Sequence, residues 1–526
     1  MRLWLLRTIF MLTCSRAALS FCYLARPSPL RALSSSASRP SPSSAPITSA
    51  PIPSAPITIS YFSDVEGDIN FLNRFIDLSS VLERDSDAVT LKPGSHVVFG
   101  GDSVDRGGYD TMCLRVLLGL KNKYPDNVHL VMGNRDCNKL RLLSELGEPG
   151  DGEPPEHKGV YWFKGRGLVG DPELDNVPRD NVGRLRWLLQ NTMGCPDSFD
   201  FRKQELQTLR PTEDVEDEDV VESYRETCAP GGLMAQYIEH AKVAFRFGPV
   251  LFTHGGVPRG PEVKVAKDMH FRSIPPSFEP VKSLDAWLER VDEWVEGQKE
   301  DWRLGRGGGG IWATRGGYRD EPDRGGSLMQ YGMGYIRDTA TQAILKNPTV
   351  VYASWLKDGM PFLPDGTADI FDEAGLQLIV CGHQPHGDCP LPMRVGPDKL
   401  IVTGDTSYSG DLLWERHAEG SDSEFKRERG RDGSLSGRGQ IAVSEVLLRV
   451  RGDELESVRT RGVLADGVEY DTELLGDDVV GREVEVDGKK WWVKARLDGD
   501  QYLGTAAEGW NVTNTVLPGS ELRPRQ

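Results

Sequence analysis

Five runs of β-branched and aromatic apolar residues each end in a short polar motif, and that repeated junction limits the folds open to this chain. "TISYF" runs into "SDVEG", "HVVF" into "GGDSVDRG", "NVHLVM" into "GNRD", "PVLF" into "THGG" and "LQLIV" into "CGHQPH". Short apolar runs bounded by Gly, Asp and Asn read as buried strands that open into loops. Between the first three lie "FLNRFIDLSSVLE" and "TMCLRVLLGLKNKY", which carry helical periodicity. This strand, loop and helix alternation predicts an α/β (α+β) core with helices packed on a largely parallel sheet. Polar groups just past the carboxyl ends of such strands share one cleft.

The motifs place ligands for hard metal ions in that cleft. Asp64 and Glu66 come from the first, Asp102 from the second, Asn134 from the third, His254 from the fourth and His383 from the fifth. Carboxylate, carboxamide and imidazole groups suit divalent ions. Two such ions about 3.5–4 Å apart bind both the attacking and the leaving oxygens of an in-line displacement. Asp102 is the expected bridge, with Asp64 and Glu66 turned to one ion and Asn134, His254 and His383 to the other. Each residue alone has an ordinary reading, an Asp as a turn or helix cap and a His as a hydrogen-bonded core group. Six of them in six matching contexts point to a two-metal hydrolase.

Composition narrows the partners. The chain has 526 residues, of which 38% are hydrophobic and 27% charged, enough for a large core and more than one ordinary domain. Residues 1–60 hold six Arg, no Lys and no acid, leaving 56 basic against 79 acidic side chains in the remainder. A body that acidic has no electrostatic reason to hold a nucleic-acid backbone, so no nucleic-acid partner is expected. Arg-rich, acid-free and followed by Ser and Pro, residues 1–55 read as a cleavable leader and linker. The expected destination is an organelle, plastid or mitochondrion, with the secretory pathway as the alternative. Arg7 and Arg16 interrupt the one apolar stretch there, and no stable membrane span is expected in the mature chain. The eight cysteines show no C-x-x-C spacing, so neither a zinc knuckle nor a disulfide framework is indicated. Oligomeric state stays open.

Three divisions are expected: the leader at 1–55, a main domain at 56–465 and a small β appendage at 466–526. Within the main domain, residues 141–245 interrupt the motif series with a helical stretch near 183–190 and the acidic run "TEDVEDEDVVE", read as an insertion over the cleft mouth. A Gly-rich loop spans 304–326; it follows no strand and lacks the Lys-Ser/Thr ending of a phosphate-binding loop. A charged loop spans 412–440. Trp287, Trp294 and Trp302 fall on one helical face, a core-facing stripe.

In order and wording the motifs resemble the calcineurin-like metallophosphoesterases, most closely their phosphoprotein phosphatase branch, whose motifs run GDxHG, GDxxDRG, GNHE, HGG and a late His. The resemblance covers roughly residues 58–410, and "GDSVDRG" and "THGG" are its most specific matches. It implies a β-sandwich of mixed sheets flanked by helices. It also implies hydrolysis of phosphate monoesters, Ser/Thr-phosphatase-like, by a hydroxide held at two metal ions. Mn²⁺ or Mg²⁺ is favoured, Fe or Zn being the alternatives, and the partner is a phosphoprotein or small phosphate ester. Position by position, Asp64, Asp102, Asn134, His254 and His383 match the family's ligands. Arg106 matches its phosphate-gripping arginine, and Asp105 its acidic orienting partner.

Two departures bear on the chemistry. Glu66 stands where the family has His, a hard oxygen ligand that shifts preference away from Zn²⁺. In "GNRD", Arg135 stands in place of the general-acid histidine and Asp136 in place of the glutamate. Arginine does not titrate near neutrality, and a positioned proton donor is worth about 10²–10⁴ in rate. Three outcomes stay open. Arg135 stabilises developing charge, or the substrate has a good leaving group, as in nucleotides and dinucleoside polyphosphates, or the chain binds phosphate as a catalytically weak scaffold. His386 is the candidate substitute proton donor. Arg315 in "WATRGG" is the candidate second phosphate-gripping arginine, or else an ordinary surface residue. Tyr408 in "VTGDTSYSG", with Asp405, suits a substrate-facing loop or a plain turn.

Overall fold

All five apolar runs form strands, and each motif begins where its strand ends. The computed structural model describes residues 55–146, 154, 177–257, 283–304, 326–406 and 441–522, without 86–87, 338–343, 347–348, 358 and 509–510. The expected leader, nearly all of the Gly-rich loop, the charged loop 412–440, Arg315 and Tyr408 lie outside the described residues.

Strands β1 (Ile57–Phe62), β2 (Ser95–Phe99) and β3 (Val128–Val131) alternate with helices α1 (Ile69–Leu78) and α2 (Asp110–Lys123), and α3 (Asn134–Lys139) opens just after β3. Helices α4 (Asn181–Asn191), α5 (Ser198–Leu209), α6 (Asp217–Cys228) and α7 (Leu233–His240) fill the described part of the predicted insertion. Strands β4 (Ala241–Lys242), β5 (Ala244–Phe247) and β6 (Val250–Thr253) follow, then helices α8 (Leu284–Arg303) and α9 (Thr367–Ala374). The chain continues through β7 (Leu378–Cys381), β8 (Leu391–Gly396) and β9 (Lys399–Thr403) to β10 (Val443–Arg451), β11 (Glu454–Val463) and β12 (Glu469–Glu473). Last come β13 (Glu483–Val486), β14 (Lys489–Leu497), β15 (Gln501–Glu508) and β16 (Asn511–Pro518).

Two mixed sheets form the centre. One runs β12-β11-β10-β1-β2-β3-β4 and the other β8-β9-β7-β6-β5. In the first, β1, β2, β3 and β4 are parallel and β10 joins β1 antiparallel. In the second, β7 is parallel to β6 and β9. The near-continuous apolar runs are explained by cover on both faces. Ile59, Tyr61, Val98 and Val131 turn toward Phe252, Leu378, Val380 and Val402 of the other sheet. Their neighbours Phe62, Val97, Phe99 and Leu130 turn outward under the helices. Tyr61 stacks on Phe252 across the sandwich with ring centroids 5.9 Å apart.

The helices follow local signals. Asp68 caps α1 by accepting from Phe71 N at 2.8 Å, and Ile69, Leu72, Phe75 and Ile76 form its buried stripe. On α8, Trp287 and Trp302 are buried, and Trp294 packs on Tyr331 with centroids 5.2 Å apart. Part of the predicted acidic run becomes the first turn of α6, where negative side chains favour the helix N-terminus. Residues 466–526 divide: β12 is the edge of the main sheet, and β13-β14-β15-β16 form a separate antiparallel sheet. Among the described residues, no helix is long and apolar enough to cross a membrane.

Candidate metal centre

The site lies where six strands end. β1, β2 and β3 point one way in their sheet, as do β6, β7 and β9 in theirs, so Asp64, Asp102, Asn134, His254, His383 and Asp405 all follow carboxyl ends. The chain leaves several strands in uncommon turns. Asp64 (φ 52°), Glu66 (50°), Asp102 (55°), Asp105 (101°) and His383 (76°) are left-handed, and among the described residues Asp487 is the one other non-glycine so placed. Such conformations cost about 1–3 kcal/mol each, and they concentrate at functional sites whose surroundings over-determine them.

Those surroundings are mainly backbone. Asp64 N donates to Gly101 O at 2.9 Å, Glu66 N to Asp102 O at 2.9 Å and Gly67 N to Ser103 O at 3.0 Å, sewing the first two loops together. Asp136 adds the third. Its carboxylate accepts from Asp102 N (3.0 Å), Ser103 N (2.9 Å), Ser103 Oγ (2.6 Å) and Gly133 N (2.8 Å). Asp136, expected among the catalytic groups, is thus a clamp on the ligand loops. The approach is close enough to require glycine at 133, where a Cβ would lie 2.1 Å from Asp102 Oδ1.

The expected ligands converge in part. Asp102, His254 and His383 offer ligand atoms within 4.8 Å of one another. Asn134 Oδ1 lies 3.1 Å from His254 Nε2 and 2.9 Å from His383 Nδ1. His254 Nδ1 donates to the Gly100 carbonyl at 2.9 Å, which fixes the ring and aims Nε2 at Asp102 Oδ1, 3.4 Å away. Asp64 stands behind, both carboxylate oxygens 3.2 Å from His383 N, and a Cβ on Gly382 would meet Asp64 Oδ2 at 2.1 Å.

The donor set fits divalent ions. Burial, with His254 close by, holds the His383 imidazole down to about 3, so it is neutral and able to ligate. Burial and the charges of Asp102 and Glu66 push the Asp64 carboxyl well up. Burial pushes Asp102 up as well, but His254 and Arg135 outweigh it and hold that carboxyl below the usual range. Mutual repulsion among buried carboxylates, beside imidazole and carboxamide lone pairs, is what a bound cation relieves.

Glu66 and Arg135 form a second group beside the first. Arg135 Nε lies 2.8 Å from Glu66 Oε1 and 3.5 Å from Asp102 Oδ2. Its Nη1 is 3.3 Å from Asp105 Oδ2 and 3.3 Å from Met193 O, the latter contributed by the helical insertion. Arg106, half-buried, places Nε 3.9 Å from Glu66 Oε1. His386 is fully buried, and its carbonyl accepts from Lys494 Nζ of β14. Asp405 is buried just past β9. Sequence reasoning missed Lys139, whose Nζ is 2.7 Å from Asp105 Oδ2; its place one helical turn after Arg135 was the available signal. It also missed Asp110, which accepts from Asp105 N at 2.9 Å and from Arg202 of the insertion at 3.1 Å.

Comparison with known proteins agrees with the motif order. Three solved structures share low identity. A cold-active protein-tyrosine phosphatase of a psychrophilic Shewanella species is 14% identical over 80% of this chain and 82% of that one, with a TM-score of 0.36. A protein serine/threonine phosphatase from Saccharomyces cerevisiae with similarity to human phosphatase PP5 is 14% identical over 77% and 75%, with a TM-score of 0.28. A metallophosphoesterase from Sphaerobacter thermophilus is 11% identical over 78% and 88%, with a TM-score of 0.27. Scores this low carry no weight for mechanism. The family model described as calcineurin-like phosphoesterase matches residues 58–387, more than half of the chain and all five motifs. On that match the chain belongs to the calcineurin-like phosphoesterases, as a metal-dependent hydrolase of phosphoric esters.

Proposed function

We propose that the chain hydrolyses phosphoric esters and anhydrides whose leaving groups depart as stable anions, aryl phosphates and phosphoanhydrides ahead of phosphoserine. One observation carries this reading: Arg135, in the place of the family's general-acid histidine, is held by Glu66 at 2.8 Å and Asp105 at 3.3 Å. A guanidinium does not release a proton near neutrality, and one bound to two carboxylates has little charge left to lend a leaving oxygen.

Asp64, Asp102, Asn134, His254 and His383 would hold two divalent ions, which would supply the Lewis acidity for attack by water on phosphorus near neutral pH. Asp102, reached from both loop sets, is the carboxylate placed to lie between them. An oxygen-rich donor set with two imidazoles suits Mn²⁺ or Mg²⁺. Arg106 grips non-bridging phosphoryl oxygens, and Asp105 steadies Arg135. Without a proton donor at position 135, poor leaving groups lose about 10²–10⁴ in rate and good ones lose little. The Arg-rich, acid-free first 55 residues support delivery to a plastid or mitochondrion.

The test is a panel assayed with Mn²⁺: p-nitrophenyl phosphate, phosphotyrosine and phosphoserine peptides, and a dinucleoside polyphosphate. The aryl and anhydride substrates are expected to lead. Phosphoserine turnover equal to theirs restores the Ser/Thr-phosphatase reading, and phosphate binding without turnover of any substrate identifies a scaffold.

A further inference from the structure

The family match ends at residue 387, yet the chain continues into the four-stranded sheet β13–β16. That sheet meets the polypeptide just downstream of His383. Lys494, on β14, is fully buried and its Nζ donates to the carbonyl of His386. Gly387 sits at φ 81°, where a Cβ would stand 3.2 Å from Lys494 Nζ. Two residues before Lys494, Trp492 Nε1 donates to Pro392 O at 2.9 Å. The grip is returned from the core, as Arg394 Nε donates to Val480 O at 2.8 Å and Arg394 N to Gly481 O at 3.0 Å. Cys389 packs with Ala495 and Leu497 of β14 and Leu503 of β15, and with Leu464 of the main sheet's β11–β12 connection.

From these contacts we infer that the C-terminal sheet is a built-in brace of the metal centre, with Lys494 the positioning residue that fixes the His383 loop. His383 is at φ 76° and Gly387 at φ 81°, a loop with two left-handed turns in five residues. Ordering such a loop carries an entropic cost, and a loop free to relax would swing the imidazole away from Asn134 and Asp102. A charged donor on the His386 carbonyl holds it three residues from the ligand. Outer groups that orient metal ligands are worth about 10–100-fold in affinity. The inference rests on the metal centre described above and adds a role for the segment beyond the family match.

The experiment is Mn²⁺ titration of the full chain by calorimetry, with metal stoichiometry measured separately. Lys494→Met keeps the stem and removes the donor. It is expected to weaken Mn²⁺ binding at least about ten-fold while the metal-free protein keeps its circular dichroism. Lys490→Met, an exposed lysine of the same strand paired with Glu483, is the control and is expected to bind Mn²⁺ like the natural chain. Trp492→Phe decides the matter should Lys494→Met not fold, because it removes the neutral indole N–H bond to Pro392 while a smaller aromatic ring stays in place; about three-fold weaker binding is expected. Unchanged Mn²⁺ affinity in folded Lys494→Met, or in Trp492→Phe where that one serves, overturns the brace. No Mn²⁺ uptake by the natural chain overturns the metal centre and the brace with it.

Discussion

Lys139 donates to Asp105 across 2.7 Å, with both side chains withdrawn from solvent. Asp105 therefore carries two cations, since Arg135 reaches the same oxygen at 3.3 Å. With Glu66 on the far side of Arg135, acids and bases alternate from Lys139 through Asp105 and Arg135 to Glu66. Removing one member of a buried pair leaves an uncompensated charge, which costs about 3–5 kcal/mol. Lys139→Met falls at the low end, about 3 kcal/mol, because Arg135 stays with Asp105. Urea unfolding of the metal-free protein measures it, and a loss below about 1 kcal/mol would mean the pair is solvated.

Asp102 sits at the junction of everything else in the site. It meets His254 at 3.4 Å and accepts from Arg135 N at 2.8 Å. Asp102→Asn keeps the shape and removes the negative charge that would draw divalent ions to this point. Metal-dependent activity is expected to vanish, and affinity to fall by more than the roughly 100-fold at the top of the outer-shell range. Two ions bound at full activity in that variant would remove the central assignment.

Asp110 gives the fold a pH dependence. Burial pushes its carboxyl up to about 7, Asp105 and Glu205 adding to the effect and Arg202 opposing it. The folded state thus binds the Asp110 proton more tightly than the unfolded chain. Its contribution to stability is fully present below about pH 4 and is lost as pH rises through about 7. Asp110→Asn removes that titration. Unfolding free energies of the metal-free protein between pH 4 and 8 are expected to slope downward more steeply in the natural chain than in the variant. Parallel slopes would show that Asp110 is ionised throughout.

Much of the site was legible because its geometry is local. A candidate ligand one to three residues beyond a parallel strand needs only the strand to be found, and Asp102, Asn134, His254 and His383 are so placed. Asp64 and Glu66 share a motif but not an environment. The left-handed backbone at both residues (φ 52° and 50°) aims each side chain by loop packing, which spacing does not encode, so Glu66 faces Arg135. Asp136 was read from its motif position, while its four donors come from two loops brought together by the fold. The C-terminal strands alternated clearly in sequence, yet whether β12 joins the main sheet depends on its pairing with β11, a contact that alternation alone leaves open.

The Glu66–Arg135 pair makes the last prediction, because both residues depart from the family's histidines together. Arg135→His alone leaves Glu66 without its 2.8 Å partner, while Lys139 still occupies Asp105. No gain on phosphoserine is expected from that variant, since the uncompensated Glu66 carboxylate repels the phosphate dianion beside the new imidazole. Glu66→His with Arg135→His removes the orphaned charge and restores both family residues. The double variant is expected to raise kcat/KM for phosphoserine by at least about 10², with aryl phosphates nearly unchanged. A plot of log kcat/KM against leaving-group pKa should accordingly be steep for the natural chain and shallower for the double variant. In stability the two positions should couple by about 1–3 kcal/mol in a double-mutant cycle. A flat plot for the natural chain would mean that another group, His386 first, donates the proton and that Arg135 has a different task.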